Sequence, residues 1–280
     1  MSKRIMFVGG MLAVAAFLIV SCGGQKNGEE GSSSNSAETG SAKPLYKSAG
    51  DEGTITGKIA FTGEAPKPKT IDMDKDAACV SAPGEKTTEE VVVNNGTLGD
   101  VFVYVKGGAV DKYSFDVPTA KVDLDQKGCR YHPHVLGVMA NQTLNIVNSD
   151  PTTHNIHPSP KSNTEWNQSQ PPGAAPLEKK FGRPEVLIPV KCNQHPWMRC
   201  YIGVMSSPFY AVSSTTDGTY TIANLPPGDY TLVAWQEKYG EQTAKVTVTA
   251  KGSVTHDFTF TPSAAYAPTS LKVQPALVLP

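Results

Sequence analysis

Three side chains that bind soft metal ions lie close together near position 195. Cys192, His195 and Met198 form a C-x-x-H-x-x-M motif directly after an apolar run that ends at Val190. Together with a second imidazole, a thiolate, an imidazole and a weak axial thioether make a trigonal site that selects copper. The sequence supplies that imidazole at His154, after the run N-S-D-P-T-T. We therefore expect one copper ion bound by His154, Cys192, His195 and Met198.

The mixture of ligands decides the choice of metal. Structural zinc sites usually carry paired C-x-x-C or H-x-H ligands without methionine. A binuclear copper site of the oxidase type would need two cysteines at a longer spacing than that of Cys192 and Cys200. A second metal site stays open as an alternative at His132 and His134, which would share one face of an extended strand. Structural or surface histidines are commoner, and this also applies to His157.

A metal whose four positions are filled by side chains keeps no position for a substrate. We therefore expect outer-sphere electron transfer and no enzymatic activity. The chain has no G-x-S-x-G, H-E-x-x-H or phosphate-binding motif that would indicate another chemistry. His195, on the loop, is the expected exposed ligand and electron route, and Trp197 is either an apolar border of the site or a core residue. Asp72, Asp74 and Asp76 are interpreted as a solvated edge.

The elements that position these ligands are predicted to be strands, because apolar residues alternate in short runs bounded by Gly, Pro or Asn. No convincing amphipathic helix follows residue 25, so the predicted fold class is all-β. A long surface loop is expected at 158–184, with a short helix near Glu165 as an option. The predicted strands are 53–61, 91–93, 101–105, 120–124, 135–139, 143–147, 185–190, 201–204, 220–222, 230–235, 243–248 and 256–260.

The segment 119–205 resembles a cupredoxin, the small blue-copper fold of plastocyanin and amicyanin. In that family the first ligand is a His followed by Asn after an N-x-D-like turn, which falls on His154 and Asn155. The other ligands come from a short loop, which falls on Cys192, His195 and Met198. The resemblance implies a Greek-key sandwich with a type 1 copper site. It also implies that Asn155 ties the two ligand loops together by hydrogen bonding.

The last third of the chain, 211–262, contains D-G-T-Y-T-I-A-N-L-P-P-G-D-Y-T-L and resembles the carboxypeptidase regulatory-like (transthyretin-like) β-sandwich. The early strands of that family match 53–106, about a hundred residues upstream. We therefore expect a cupredoxin-like part at 118–210 inserted in a sandwich made of 51–117 and 211–262, because insertion is tolerated where the ends of a loop lie close together. A tandem layout with an independent N-terminal sheet is the competing arrangement.

The N-terminus has the pattern of an export signal. Lys3 and Arg4 precede an apolar run that is too short for a confident membrane span. The run ends in I-V-S-C-G, which resembles the lipobox of bacterial lipoproteins. Removal of residues 1–21 and lipidation of Cys22 are therefore expected. An Asp at position 23 would favour the inner membrane, and Gly23 favours the outer membrane, facing the periplasm.

Sequences with few apolar residues or many prolines flank the predicted domains. Residues 22–50 are rich in Gly, Ser and Glu and are expected to form a flexible tether. Residues 263–280 are expected to be a poorly ordered tail. Without residues 1–21 the chain has 23 basic and 26 acidic side chains, a formal charge of −3, which gives no electrostatic footprint for nucleic acid.

The five cysteines have different expected roles. Export permits disulfides, and three cysteines remain once Cys22 carries a lipid and Cys192 binds metal. One disulfide and one free thiol is the simplest outcome. We favour a pair between Cys79 and Cys129, with Cys200 free. The cupredoxin pattern has no required cysteine at position 200.

The sequence therefore predicts a membrane-anchored copper protein that passes single electrons between redox partners outside the cytoplasm. Two alternatives stay open. The first is copper binding or delivery without electron shuttling, which uses the same ligands. The second is a carbohydrate-binding or adhesion lipoprotein in which the sandwich carries the function and the metal is incidental.

Overall fold

A computed structural model of the chain describes residues 42–262. The predicted signal peptide, Cys22, most of the tether and the C-terminal tail lie outside the described residues. Within that range the predicted all-β class is confirmed, since the only helices are α1 (Ala77–Ser81) and α2 (Ala109–Lys112). No helix among the described residues is long and apolar enough to cross a membrane.

The strands fall into two groups along the chain. Before and after the metal-ligand region they are β1 Gly53–Phe61, β2 Val93–Asn94, β3 Thr97–Leu98, β4 Phe102–Lys106, β14 Tyr210–Val212, β15 Thr219–Leu225, β16 Gly228–Gln236, β17 Gly240–Val248, β18 Ser253–Thr255 and β19 Phe258–Phe260. Between these stretches they are β5 Val122–Gln126, β6 Tyr131–His132, β7 Val135–Met139, β8 Leu144–Asn148, β9 His154–Pro158, β10 Gln168–Gln170, β11 Leu177–Lys179, β12 Glu185–Lys191 and β13 Arg199–Met205.

The first group of strands forms one sandwich. One sheet has the order β15-β1-β3-β2, with β18 and β19 also paired to β1, and the other has the order β14-β4-β16-β17. Alternate residues of β1 point inward, so that Ile55 and Ile59 are fully buried with Val103 and Leu232 from the opposite sheet. This apolar core holds the two sheets together.

The second group forms another sandwich with its own core. Its sheets have the orders β10-β9-β12-β13-β7 and β11-β8-β5-β6. Leu124 and Ile146 of one sheet lie in the same buried cluster as Ile156, Ile188 and Ile202 of the other. The strands that flank the ligand loops, β9, β12 and β13, are therefore fixed by packing along their length.

A third buried cluster joins the two sandwiches. Phe102 and Tyr104 on β4 and Val233 on β16 lie in one cluster with Val135 on β7 and Met205 on β13. Strand β4 is buried on both faces, because its alternate residues Val103 and Val105 belong to the core of the first sandwich. The two sandwiches thus share a continuous apolar interior.

Two features of the loops differ from the sequence prediction. No helix forms near Glu165, and the loop predicted at 158–184 instead contains the short strands β10 and β11. Part of the predicted tether is ordered, because Leu45 pairs with Ser114 and Tyr46 packs on Tyr113 with their ring centroids 5.4 Å apart. The contacts of the half-buried Tyr46 ring with Tyr113 and Phe115 are the physical reason that the chain is fixed before residue 50.

The segment between β1 and β2, residues 62–92, contains α1 and is called here the α1 segment. Its two halves run antiparallel, side by side, since the N–H of Ile71 donates to the carbonyl of Lys86 and the N–H of Thr88 donates to the carbonyl of Lys69. Asp76 caps the helix by accepting a hydrogen bond from the N–H of Ala78 at 2.9 Å. This segment lies across the ligand loops of the second sandwich.

Candidate metal centre

The expected ligands come from the ends of three neighbouring strands. His154 is the first residue of β9, Cys192 follows β12, and Met198 precedes β13. β12 pairs with both β9 and β13, which brings the strand ends to one edge of the sheet. The loop from Cys192 to Met198 is closed by two backbone hydrogen bonds, from Cys192 N–H to Met198 at 3.1 Å and from Met198 N–H to His195 at 2.9 Å.

The structure brings His154, Cys192 and His195 together. The Nδ1 atoms of the two imidazoles lie 2.9 Å apart, and Cys192 Sγ lies 3.7 Å from His195 Nδ1. Each of the three contributes one ligand atom to a group in which all atoms are within 4.8 Å of one another. Their exposed fractions are 0, 2 and 4%, so the centre lies inside the protein.

The donor atoms fit a single metal ion. Two imidazole nitrogens bound at about 2.0 Å to one ion lie roughly 3.0–3.5 Å apart, and only a small outward shift of the two Nδ1 atoms produces that spacing. Met198 is 1% exposed and belongs to the same buried cluster as Cys192, which places a thioether in the surrounding core. Two imidazoles, one thiolate and a thioether are the donor set that favours copper over harder metals.

Each histidine also contacts a carboxylate with its outer nitrogen. His154 Nε2 lies 2.8 Å from Asp150 Oδ2, and His195 Nε2 lies 3.1 Å from Asp76 Oδ2. Donation from Nε2 to a carboxylate leaves each Nδ1 free to bind metal. Interpreting Asp76 as part of a solvated edge was therefore wrong, since the fold brings it to a buried histidine 119 residues away.

Asp150 and Asp76 were both missed as site residues. Asp150 stands four residues before His154 in the turn that leads to the ligand, so its position near the imidazole was open to inference from local sequence. For Asp76, the one weak indication in the sequence that it belongs to the site is its position three residues before Cys79. Its contact with His195 depends on how the α1 segment crosses the second sandwich.

His195 is not the exposed ligand that the loop position suggests. Its side chain is covered by Asp76 and by Trp197, whose ring centroid lies 5.1 Å from that of the imidazole. Thr152 adds to this cover by donating its hydroxyl to the same Asp76 oxygen at 2.7 Å. Both imidazoles are therefore shielded from solvent, and the edge expected to face a partner is closed by the α1 segment.

The pKa values reflect burial opposed by hydrogen bonds. Burial raises the pKa of Cys192, but hydrogen bonds from His154 and from backbone N–H groups outweigh it and hold that pKa below its usual value. Burial also raises the pKa of Asp150, and hydrogen bonds from His154 and the Cys129 and Gly128 N–H groups reverse this. The hydroxyl of Thr152 lowers the pKa of Asp76. The same contacts thus favour the thiolate form of Cys192 over the thiol and keep Asp76 and Asp150 ionised near neutral pH.

Asn155 connects the two ligand loops. Its Oδ1 accepts a hydrogen bond from the N–H of Asn193 at 2.9 Å, and its Nδ2 donates to Asn167. Because Asn155 follows one ligand and Asn193 follows another, this bond sets the spacing between the loops. This is the contact that the sequence resemblance implied for Asn155.

The cysteines outside the ligand set lie in two environments. Cys79 and Cys129 form a disulfide with a Cα–Cα distance of 5.5 Å, the pair favoured from the sequence. Cys200 is a free thiol and fully buried on β13. Burial raises the pKa of Cys200 well above its usual value, so it remains a neutral core residue.

The remaining histidines do not gather into a second centre among the described residues. His132 is exposed and its Nε2 contacts Lys127 O, whereas His134 is partly buried and pairs with Glu237. His157 lies between Asn193 and Glu165. Strand β6 ends at His132 and β7 begins at Val135, so 132–134 is not the extended strand that would align the first two histidines.

Comparison with known proteins finds one family model that matches part of the chain. A family model for the carboxypeptidase regulatory-like domain matches residues 205–261. No curated protein matches the chain.

Several solved structures of copper proteins resemble parts of the chain. A purple cupredoxin from Nitrosopumilus maritimus is 19% identical, covers 30% of this chain and 99% of its own, and has a TM-score of 0.26. A reduced amicyanin mutant is 21% identical, with coverages of 32% and 87% and a TM-score of 0.27. A copper-containing nitrite reductase from Thermus scotoductus SA-01 is 14% identical over 53% of this chain, with a TM-score of 0.30, and the match spans 28% of that enzyme. All three TM-scores are low, and the ligand assignment stands on the geometry of the centre.

Proposed function

We propose that this protein is a single-copper electron carrier, tethered by a lipid on Cys22 to the outer membrane and exposed to the periplasm. The observation that carries the proposal is the convergence of the His154 and His195 Nδ1 atoms with Cys192 Sγ in a buried centre. Copper bound there supplies a one-electron Cu(II)/Cu(I) couple.

The residues around the centre support electron transfer more than turnover of a substrate. With Met198 as the fourth ligand, protein side chains fill the coordination positions, which leaves none for a substrate. Hydrogen bonds from His154 and backbone N–H groups lower the pKa of Cys192 and so favour loss of its proton to a bound metal, and the strands and Asn155 fix the loops. A rigid site limits the rearrangement between the two oxidation states, so we propose a non-enzymatic role.

Trp197 gives the most direct route from the centre to the surface. Its ring lies beside His195, and with Pro196 and Met198 it lines an open cavity of about 290 Å³. Because Asp76 closes the imidazole edge of His195, we propose that a redox protein approaches at this cavity. The rim also carries the exposed side chains Lys69, Glu90 and Arg199, so charges of both signs are available to orient a partner.

The test is the visible spectrum of the full-length protein loaded with one equivalent of Cu(II). We expect an intense thiolate-to-copper charge-transfer band that disappears in Cys192→Ser. Cys200→Ala is the matched control, because Cys200 is a buried thiol outside the centre, and this variant should keep the band. The bound copper should also be reduced and reoxidised reversibly in rapid-mixing experiments.

Other outcomes would contradict the proposal. A colourless or easily chelated copper complex would indicate copper handling without electron shuttling. Glycan binding by a protein on which copper leaves no spectral or stability change would assign the function to the sandwich instead.

A further inference from the structure

We propose that Asp76 and Asp150, joined through the Cys79–Cys129 disulfide, form a clamp that orients both imidazoles and tunes the copper they hold. This inference rests on the proposed copper site and adds positioning residues to it. Asp76 comes from the α1 segment, outside the 118–210 part of the chain that supplies every ligand.

Both carboxylates are held rigidly before they contact a histidine. Asp76 Oδ1 accepts the N–H of Ala78 at 2.9 Å, and its Oδ2 accepts the hydroxyl of Thr152 at 2.7 Å. Asp150 accepts the N–H groups of Gly128 at 2.6 Å and Cys129 at 2.7 Å. An acceptor fixed in this way selects one ring orientation, since the imidazole must place Nε2 toward it.

The disulfide connects the two carboxylates physically. Cys79 lies three residues after Asp76 in α1, and Cys129 donates its own N–H to Asp150. The sulfur of Cys79 also lies within 4.8 Å of Asp76 and His195 ligand atoms, and the sulfur of Cys129 has the same relation to Asp150 and His154. The disulfide thus lies against the outer edges of both imidazoles and closes that side of the centre.

The clamp has a predictable effect on copper. A carboxylate on the outer nitrogen makes an imidazole a stronger electron donor and adds negative charge near the metal, and both effects stabilise Cu(II) more than Cu(I). The charge acts strongly because Asp76 and Asp150 face a centre from which water is excluded. Loss of a carboxylate should therefore weaken Cu(II) binding and raise the reduction potential.

The experiment compares Asp76→Ala and Asp76→Asn with the wild-type full-length protein. We expect Asp76→Ala to weaken Cu(II) binding about 10–100-fold in competition titrations and to raise the reduction potential. Asp76→Asn keeps an acceptor oxygen and loses the charge, so it should raise the potential with a smaller loss of affinity. Asp74→Asn, an exposed acid two residues away, is the matched control and should change neither quantity.

Two further variants keep the test independent of folding defects. Thr152→Val removes one of the groups that hold Asp76 and should shift the potential in the same direction by a smaller amount. The double variant Cys79→Ala/Cys129→Ala should weaken Cu(II) binding. Adding Asp76→Ala to it should reduce the Cu(II) affinity by less than Asp76→Ala does in the wild-type protein, because both changes act through one clamp.

The outcomes separate the clamp from the copper site itself. One outcome is that the wild type shows the thiolate band while the Asp76 variants have the same reduction potential and Cu(II) affinity as the wild type. In that case the clamp is wrong and the copper proposal stands. If variants lose apoprotein thermal stability but keep the potential, Asp76 has only a structural role and the clamp is again wrong. If wild type shows no thiolate band, both proposals fall together.

Discussion

At the scale of single residues, His134 pairs with a carboxylate away from the metal centre. Its Nε2 lies 2.6 Å from Glu237 Oε1, and the pair connects β7 of the second sandwich to the turn after β16 of the first. Burial lowers the pKa of His134, but the hydrogen bond and charge of Glu237, with Asp100 and Glu89 nearby, outweigh burial and raise that pKa above its usual value. Burial raises the pKa of Asp100 to about 6.

These shifts predict a stability that declines toward alkaline pH. Because the pKa of His134 is higher in the folded protein, its contribution is complete below the unfolded value of about 6.5 and is lost as pH rises through the folded value. The raised pKa of Asp100 also lowers stability as pH rises, but between its usual value and about 6, which is below the range governed by His134. In Glu237→Gln the free energy of unfolding should depend less on pH. At slightly acidic pH this apoprotein should be less stable than the wild type by on the order of 1–3 kcal/mol.

Denaturant unfolding of the apoprotein from roughly pH 6 to pH 9 measures this effect. His132→Asn is the control, because His132 is exposed and lies outside the pair. A difference between wild type and Glu237→Gln that stays constant over this range would contradict the role given to His134.

At the scale of elements, a pair of glycines lets the two sandwiches approach each other. Gly137 on β7 and Gly203 on β13 are partners in a parallel strand pair. A Cβ at Gly203 would lie 2.5 Å from the Phe102 ring, and one at Gly137 would meet the rings of Tyr210 and Phe102. The missing side chains form the hollow that accepts Phe102 of β4.

We expect Gly203→Ala to destabilise the protein by about 1–3 kcal/mol, because the added methyl forces Phe102 out of a packed position. Thermal unfolding measures the loss. Gly182→Ala is the matched control, since its Cβ would meet nothing closer than Asn141 Oδ1 at 3.8 Å. Combining Phe102→Leu with Gly203→Ala should recover part of the lost thermal stability. Equal melting temperatures for Gly203→Ala and Gly182→Ala would contradict this account.

The strands also show where sequence patterns are sufficient to predict secondary structure. The strand at Val135–Met139 has its predicted bounds, because V-L-G-V-M lies between clear breaks in the pattern. Strand β9 was not predicted, since H-N-I-H-P has one aliphatic residue, and Gln168–Gln170 lacks apolar residues altogether. Strand β9 forms because β10 and β12 pair with it on either side, and the edge strand β10 forms because β9 pairs with it, conditions that local sequence does not contain.

The metal centre shows the same division between local and long-range information. Cys192, His195 and Met198 lie on one loop, so their types and spacing predict their chemistry. Asp76 is placed by the crossing of the α1 segment and by a disulfide with a sequence separation of 50 residues. Ligands that share a loop were open to prediction, whereas the group that orients one of them required the tertiary fold.

At the scale of the whole molecule, the shared interior predicts cooperative unfolding. Phe102 and Val233 of the first sandwich are buried against Val135 and Met205 of the second. We expect one calorimetric transition for the apoprotein, with equal calorimetric and van't Hoff enthalpies. Copper should move the entire transition to higher temperature. Two transitions, with only one responding to copper, would show that the sandwiches unfold independently.

The origin of Asp76 in the α1 segment has a consequence for exchanging parts between proteins. Strand β4, which precedes the stretch 118–210 along the chain, and strand β14, which begins at its last residue, pair side by side, with Phe102 opposite Val212. A graft of 118–210 onto another scaffold would carry all four proposed ligands, but it would leave Asp76 and Cys79 behind. On the copper proposal, such a graft would present the metal with one uncapped imidazole, whereas substitutions confined to the α1 segment would retune the metal without altering any strand of 118–210.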